Sequence, residues 1–168
     1  MIVIETFDSP IGRLTAAERG GRVCLLHFGA DGPGIDAMFE RWYPGEPRAR
    51  QPLPAVDAML RRYFEGRLDV LDTIPVELNG TPFQKQVWQA LRRIPSGTTI
   101  SYAELARRIG SPAAVRAVGT ANGANPVAVI VPCHRVIGSD GSLTGYGGGL
   151  DRKQWLLAHE GVTALRLF

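Results

Sequence analysis

Thr81-Pro82-Phe83-Gln84 and Ser101-Tyr102-Ala103-Glu104 are two helix-start signals close together in the chain, with Pro95-Ser96-Gly97 between them. In each, a hydroxyl can accept a bond from the backbone N–H three positions on. The Gln or Glu at that position can reach back to the capping residue's own N–H. Pro82 suits the first helical position, where a missing N–H is harmless. This part of the chain is therefore restricted to short helices separated by turns. Phe83, Val87, Trp88, Leu91 and Ile94 line one face of the first helix. Leu105, Ala106 and Ile109 face inward on the second, which Gly110 ends. Ser111-Pro112 opens a third, Ala113 to about Ala121, so two short helices joined by a tight Gly-Ser-Pro turn make a helix-turn-helix. A last helix is predicted from Asp151 to Glu160, with the tail Val162 to Phe168 packing back as an extended segment.

The first half reads differently. Ile2 to Phe7, Gly12 to Ala17 and Arg22 to Phe28 are predicted strands around turn residues. Ile35 to Tyr43 is a short helix stopped by Pro44, and the proline-rich Pro44 to Pro54 is loop. Val56, Met59, Leu60, Tyr63 and Phe64 have helical spacing after Pro54, closed by Gly66. Val70 to Leu78 returns as a strand. The predicted class is α+β, with residues 1–78 a small α+β domain and 79–168 a mostly α domain entered at Asn79-Gly80.

No apolar run is long enough to span a bilayer, and the N-terminus lacks the pattern of a signal peptide. The expectation is a cytoplasmic protein that does not associate with membranes and whose two cysteines, Cys24 and Cys133, stay reduced. Charge divides unevenly: residues 1–78 carry nine basic and twelve acidic side chains, residues 79–168 ten basic and four acidic. The second half is thus the one suited to a polyanion. On the helix from Ala113 to Ala121, small residues leave a thin profile and Arg116 is the one charged side chain. Such a helix can lie close to another helix, or enter the narrow minor groove of DNA.

Pro132-Cys133-His134-Arg135-Val136 follows the apolar run Val127-Ala128-Val129-Ile130-Val131, which reads as a buried strand. A thiolate is the reactive form of cysteine, and a neighbouring base or positive group favours it. Adjacent side chains on a strand point to opposite faces, so Cys133 and His134 need a bend or a water to cooperate. A buried structural cysteine is the other reading of the same residues. Cys24 and His27 lie too far from any second pair of ligands to suggest zinc, and no metal or cofactor is expected.

From Gly80 to Gly161 the chain resembles the methylated-DNA–protein-cysteine methyltransferases. The residues that carry the resemblance are Gly80-Thr81-Pro82-Phe83-Gln84, Val87-Trp88, Gly97-Thr98-Thr99-Ile100-Ser101-Tyr102, Arg116-Ala117-Val118-Gly119, Asn122 and Asn125-Pro126. They continue through Ile130 to Val136, Tyr146-Gly147-Gly148-Gly149 and Leu156-Leu157-Ala158-His159-Glu160. The first half matches loosely, chiefly at Asp8-Ser9-Pro10-Ile11-Gly12. The resemblance implies a ribonuclease-H-like N-terminal domain and a C-terminal domain with a winged-helix-like helix-turn-helix. It implies irreversible, single-turnover transfer of an alkyl group from O6-alkylguanine, with O4-alkylthymine a second candidate substrate, to Cys133, with the target base flipped out of the duplex. By the same resemblance His134 is a water-bridged base that lowers the Cys133 pKa, Glu160 orients the histidine, and Tyr102 supplies a proton to the leaving purine. Arg116 fills the base stack, with Ala117, Gly119, Ala121 and Ser101 beside the minor groove of double-stranded DNA. Tyr146, Gly147, Gly148 and Val136 form the pocket, Asn125 braces the turn before Cys133, and the protein acts as a monomer. Two rivals remain at this level: a cysteine hydrolase built on Cys133-His134-Glu160, and a damage-sensing DNA-binding module without chemistry.

Overall fold

The computed structural model describes residues 1–162; residues 163–168, and with them most of the predicted extended tail, lie outside the described residues. The chain forms two compact units, Met1–Asn79 with Pro126–Ile130, and Gly80–Asn125 with Val131–Phe168. No helix among the described residues is long and apolar enough to cross a membrane.

The first unit is built on strands β1 (Ile2–Phe7), β2 (Leu14–Arg19), β3 (Arg22–Phe28) and β4 (Arg48–Arg50). Their order is β3-β2-β1-β4, with β1/β2 and β2/β3 antiparallel and β1/β4 parallel. Alternation along β1 buries Ile2 and Ile4, Phe7 is buried at its end, and helices α1 (Pro33–Trp42) and α2 (Pro54–Phe64) add Ile35, Phe39, Val56, Leu60 and Tyr63 to the core. Two expectations fail here. The stretch Pro44 to Pro54 contains β4, because a three-residue edge strand carries too little pattern to be read. Val70 to Leu78 is no strand: Leu68–Thr73 winds as a 3-10 helix, and only Val76 makes a bridge, to Val23.

In the second unit, α3 (Pro82–Leu91) starts with the full reciprocal cap, Gln84 N–H to Thr81 Oγ1 at 3.1 Å and Thr81 N–H to Gln84 Oε1 at 3.0 Å. A Cβ on Gly80 would fall 2.6 Å from the Trp88 ring, so the entry to α3 has room only for glycine. Trp88 is wholly buried and its indole donates to the Ala121 carbonyl at 2.9 Å, tying α3 to α5 (Val115–Gly123). Strand β5 (Ile100–Ser101) leads directly into α4 (Tyr102–Arg108), which Ser101 Oγ caps by accepting from Glu104 N–H at 3.0 Å. The reciprocal half of that cap is absent, because the Glu104 carboxylate pairs with Arg107 and Arg108 instead. Gly110, at φ 77, closes α4 with Ser111 N–H returning to Ala106 O, and the helix-turn-helix follows as α4 and α5. Strand β6 (Val136–Ile137) pairs with β5 in parallel, and α6 (Leu150–His159) packs Leu157 against Ile137, Leu143 and Val162.

Candidate active site

The apolar run before Cys133 is not a regular strand. Pro126 and Val127 add to the edge of β3 through Leu26, and the chain then turns at Val129, which has φ 69 and an Ile130 N–H to Ala128 O bond of 2.8 Å across it. A β-branched residue in that region is strained. A second tight turn follows at Pro132, where Cys133 N–H donates to Val131 O at 2.8 Å, and Cys133–Arg135 forms one turn of 3-10 helix. This corrects the strand-mouth expectation: on a helical turn, consecutive side chains no longer project to opposite faces. Two asparagines hold this turn. Asn125 Nδ2 donates to Val131 O at 2.7 Å, and Asn122 Nδ2 reaches the Cys133 carbonyl at 3.4 Å.

His134 and Glu160 are both fully buried side chains, and His134 Nε2 lies 2.9 Å from Glu160 Oε2. Arg135, also buried, grips the same carboxylate with two bonds, Nε to Oε1 at 2.7 Å and Nη2 to Oε2 at 3.0 Å. Its Nη1 donates to the Ile94 carbonyl just beyond α3 at 2.7 Å. Burial opposes the charge on Glu160, but the bonds and charges of His134 and Arg135 outweigh it and hold the carboxyl far below the usual range. Burial likewise pulls the His134 imidazole below its ordinary range, with Glu160 working against it. The imidazole is therefore neutral near pH 7. With Nε2–H donating to Glu160, its Nδ1 lone pair is left to accept a proton.

Cys133 is 7% exposed, and burial pushes its thiol up; a hydrogen bond from Asn125 and the charge of Lys153 pull the other way without cancelling it. A resting thiolate lowered by a cationic histidine is therefore not what this site holds. The thiol is protonated at rest and needs a base during reaction. Lys153, on α6, is completely buried and donates to two main-chain carbonyls, Val136 O at 2.7 Å and Thr144 O at 2.9 Å. Among the described residues no carboxylate pairs with it, and burial brings it down to about 8, with the Cys133 charge acting against that. An ammonium held this way favours negative charge developing on sulfur.

Tyr102 donates to the same Thr144 carbonyl at 3.2 Å. Burial raises its phenol, which keeps the proton available for donation. Val136 is buried in β6, while Tyr146 and Gly148 are partly exposed and Gly147 exposed in the loop that leads to α6. Arg152 Nη1 donates to Gly148 O at 3.1 Å, tying this loop to α6.

On α5, Arg116 and Ala117 are exposed, and a Cβ on Gly119 would lie 3.8 Å from the Tyr102 ring. Ala121 is not on that face: it is buried and its carbonyl serves Trp88, so it leaves the set of residues expected to meet DNA. Ser101 spends its hydroxyl on the α4 cap. His159 stacks on Trp155 with ring centroids 4.8 Å apart. Among the described residues no group of His, Cys, Asp and Glu is arranged to hold a metal ion.

Comparison with known proteins matches residues 2–78 to the ribonuclease-like domain of 6-O-methylguanine DNA methyltransferase and residues 82–162 to its DNA binding domain. The chain belongs to the 6-O-methylguanine DNA methyltransferase family. It is 49% identical to a methylated-DNA–protein-cysteine methyltransferase of Mycolicibacterium paratuberculosis over 95% of this chain and 93% of that one. A Shigella flexneri relative is 56% identical over 106 residues, and the chain spans only 62% of that protein's length. The crystal structure of Mycobacterium tuberculosis O6-methylguanine methyltransferase superposes with a TM-score of 0.79 at 44% identity, covering 95% of this chain and 93% of that one. The same organism's OGT in complex with DNA gives 0.79 at 44% identity, over 94% and 92%.

Within this family framework, the sequence reading missed Arg135 and Lys153 as parts of the site. Arg135 stood inside the quoted motif without a role. Lys153 carried a signal: it lies three, four and seven positions before Leu156, Leu157 and Glu160, on the apolar face of α6, where an unpaired cation is out of place.

Proposed function

We propose that this chain repairs DNA by taking the alkyl group of O6-alkylguanine onto Cys133, once per molecule. The single observation that carries the reading is the buried His134–Glu160 pair, 2.9 Å apart, on the residue that follows a buried Cys133, with the imidazole's Nδ1 left as an acceptor. The thiol proton passes to His134 Nδ1, the sulfur–carbon bond forms as the carbon–oxygen bond breaks, and the purine leaves with the bond's electrons and a proton from Tyr102. A thioether has no leaving group comparable to guanine, so the thiol does not regenerate. Lys153 balances charge on the sulfur while it reacts. The relatives' names and the DNA-bound Mycobacterium tuberculosis OGT support duplex DNA as the partner.

The target atom lies inside the base stack, so the nucleotide must be flipped, at a cost of a few kcal/mol. The exposed Arg116 on the small-residue face of α5 suits a minor-groove approach in which its planar guanidinium replaces part of the lost stacking. Arg116→Ala is expected to slow transfer from methylated duplex by one to two orders of magnitude. The reaction with free O6-benzylguanine should change little, and equal loss on both would assign Arg116 to the pocket or the fold.

Intact-mass analysis after incubation with excess O6-methylguanine duplex tests the reading as a whole. One methyl per chain, on the Cys133 peptide, is the expected result. Multiple turnovers would favour a hydrolase, and tight binding with no mass change a sensing module.

A further inference from the structure

Asn122 lies near the end of α5, on its buried side, and is 4% exposed. Burying a carboxamide is costly unless both of its ends are bonded. Only one end is: Nδ2 donates to the Cys133 carbonyl at 3.4 Å, while Oδ1 is buried and meets no donor among the described residues. The opposite amide orientation would set oxygen against oxygen, so the arrangement is fixed by the carbonyl it faces. Nδ1 of His134 is in the same condition, buried and without a donor.

Both side chains are tied to one peptide group. Asn122 bonds the carbonyl that joins Cys133 to His134, and the imidazole belongs to the residue that follows. Both atoms are acceptors, since the Nε2–H of His134 is committed to Glu160 and the Nδ2 of Asn122 to the carbonyl. Neither can satisfy the other, and each left alone carries the full desolvation penalty of a buried acceptor. One donor with two O–H groups satisfies both, and a buried water is stable where two to four polar partners converge.

We propose that Asn122 is a positioning residue for the transfer: its amide holds the Cys133 carbonyl and its free oxygen orients the water that relays the Cys133 proton to His134. The proposal rests on the alkyl-transfer reading of Cys133. In the step itself, the S–H bond breaks and its proton goes to the water, which gives one of its own to Nδ1 and is left as water. The electron pair left on sulfur forms the bond to the alkyl carbon as the carbon–oxygen bond breaks. Asn122 neither gains nor loses a proton; it selects the water orientation in which one O–H faces the imidazole.

The test uses the full chain and free O6-benzylguanine, which requires no base flipping. Wild-type protein must first show one benzyl group on Cys133 by mass; without it the alkyl-transfer reading fails, and this proposal with it. Asn122→Ala and the near-isosteric Asn122→Leu remove both polar ends, and at least one is expected to fold with little loss of melting temperature. Either should react at pH 7 at least tenfold more slowly. The rising limb of the rate–pH profile should move up by about one unit, because proton removal from the thiol is impaired. Asn122→Ser, whose hydroxyl can again hold a water, should recover part of both effects. The other groups that titrate or carry charge around Cys133 are unchanged in these variants: Lys153 on α6, Tyr102 on α4, and His134, Arg135 and Glu160. Affinity for duplex, measured on a Cys133→Ser background, should stay within twofold. An unchanged pH profile in the Ala or Leu variant, whatever the loss of rate, would overturn the proposal and leave Asn122 a packing residue.

Discussion

Cys133→Ala is expected to reduce alkyl transfer below detection while leaving the fold and DNA binding in place. The other cysteine cannot substitute. Cys24 is wholly buried in β3, and burial pushes its thiol up to about 12, so at pH 7 it stays protonated and unreactive. Cys133 itself sits on a turn held by main-chain bonds and by Asn122 and Asn125, none of which needs the sulfur. Removing one buried sulfur atom costs about 1 kcal/mol, a small loss for a domain core. Intact-mass analysis with methylated duplex should show no added methyl, and a gel-shift titration should show wild-type affinity. A methyl recovered anywhere on the variant chain would move the nucleophile away from Cys133.

Glu160→Gln is expected to be the most damaging single change to both stability and chemistry. The carboxylate is gripped by the buried guanidinium of Arg135, and removing one partner of such a pair leaves a buried charge uncompensated, at about 3–5 kcal/mol. Denaturant unfolding at neutral pH measures this loss. The acid side of the stability curve should change as well. The folded carboxyl lies below its ordinary value near 4.5, so its contribution is complete above that pH and is lost as pH falls toward the folded value. His134 adds a second acid-sensitive window below its ordinary value near 6.5, because the buried imidazole resists the proton that the unfolded one accepts. In Glu160→Gln the carboxylate window disappears, and stability should decline less steeply below about pH 4.5. In the fraction that folds, loss of the anion makes His134 a weaker base. Alkylation by free O6-benzylguanine should slow near pH 7, and the rising limb set by His134 should shift to lower pH, because the imidazole without its anion gives up its proton more readily. A folded variant with an unchanged profile would make Glu160 a purely structural residue.

Much of the helical half was legible because its signals are local. The Thr81–Gln84 cap, the glycine end at Gly110 and the apolar stripe of α3 each depend on residues a few positions apart, and a chain rarely has a cheaper way to satisfy them. The errors fall where the pattern was short or equivocal. Strand β4 has three residues, and the apolar run 127–131, read as a strand, carries no residue that marks a turn within it. That run became a pair of turns because its start is bonded to β3 and its end to Asn125, partners set by contacts far along the chain.

By itself, the sequence determined the α+β class, the helix-turn-helix, the basic second half and, through the motif around Cys133, the family. These follow from propensities, periodicities and ordered residue types that do not depend on distant partners. Only the tertiary structure decided the protonation of the site. Burial raises the Cys133 thiol, keeps His134 neutral and brings Lys153 against the carbonyls of Val136 and Thr144, while Arg135 keeps Glu160 charged. A pKa depends on desolvation and on charges brought together across the fold, and neither quantity can be read from adjacency in the chain.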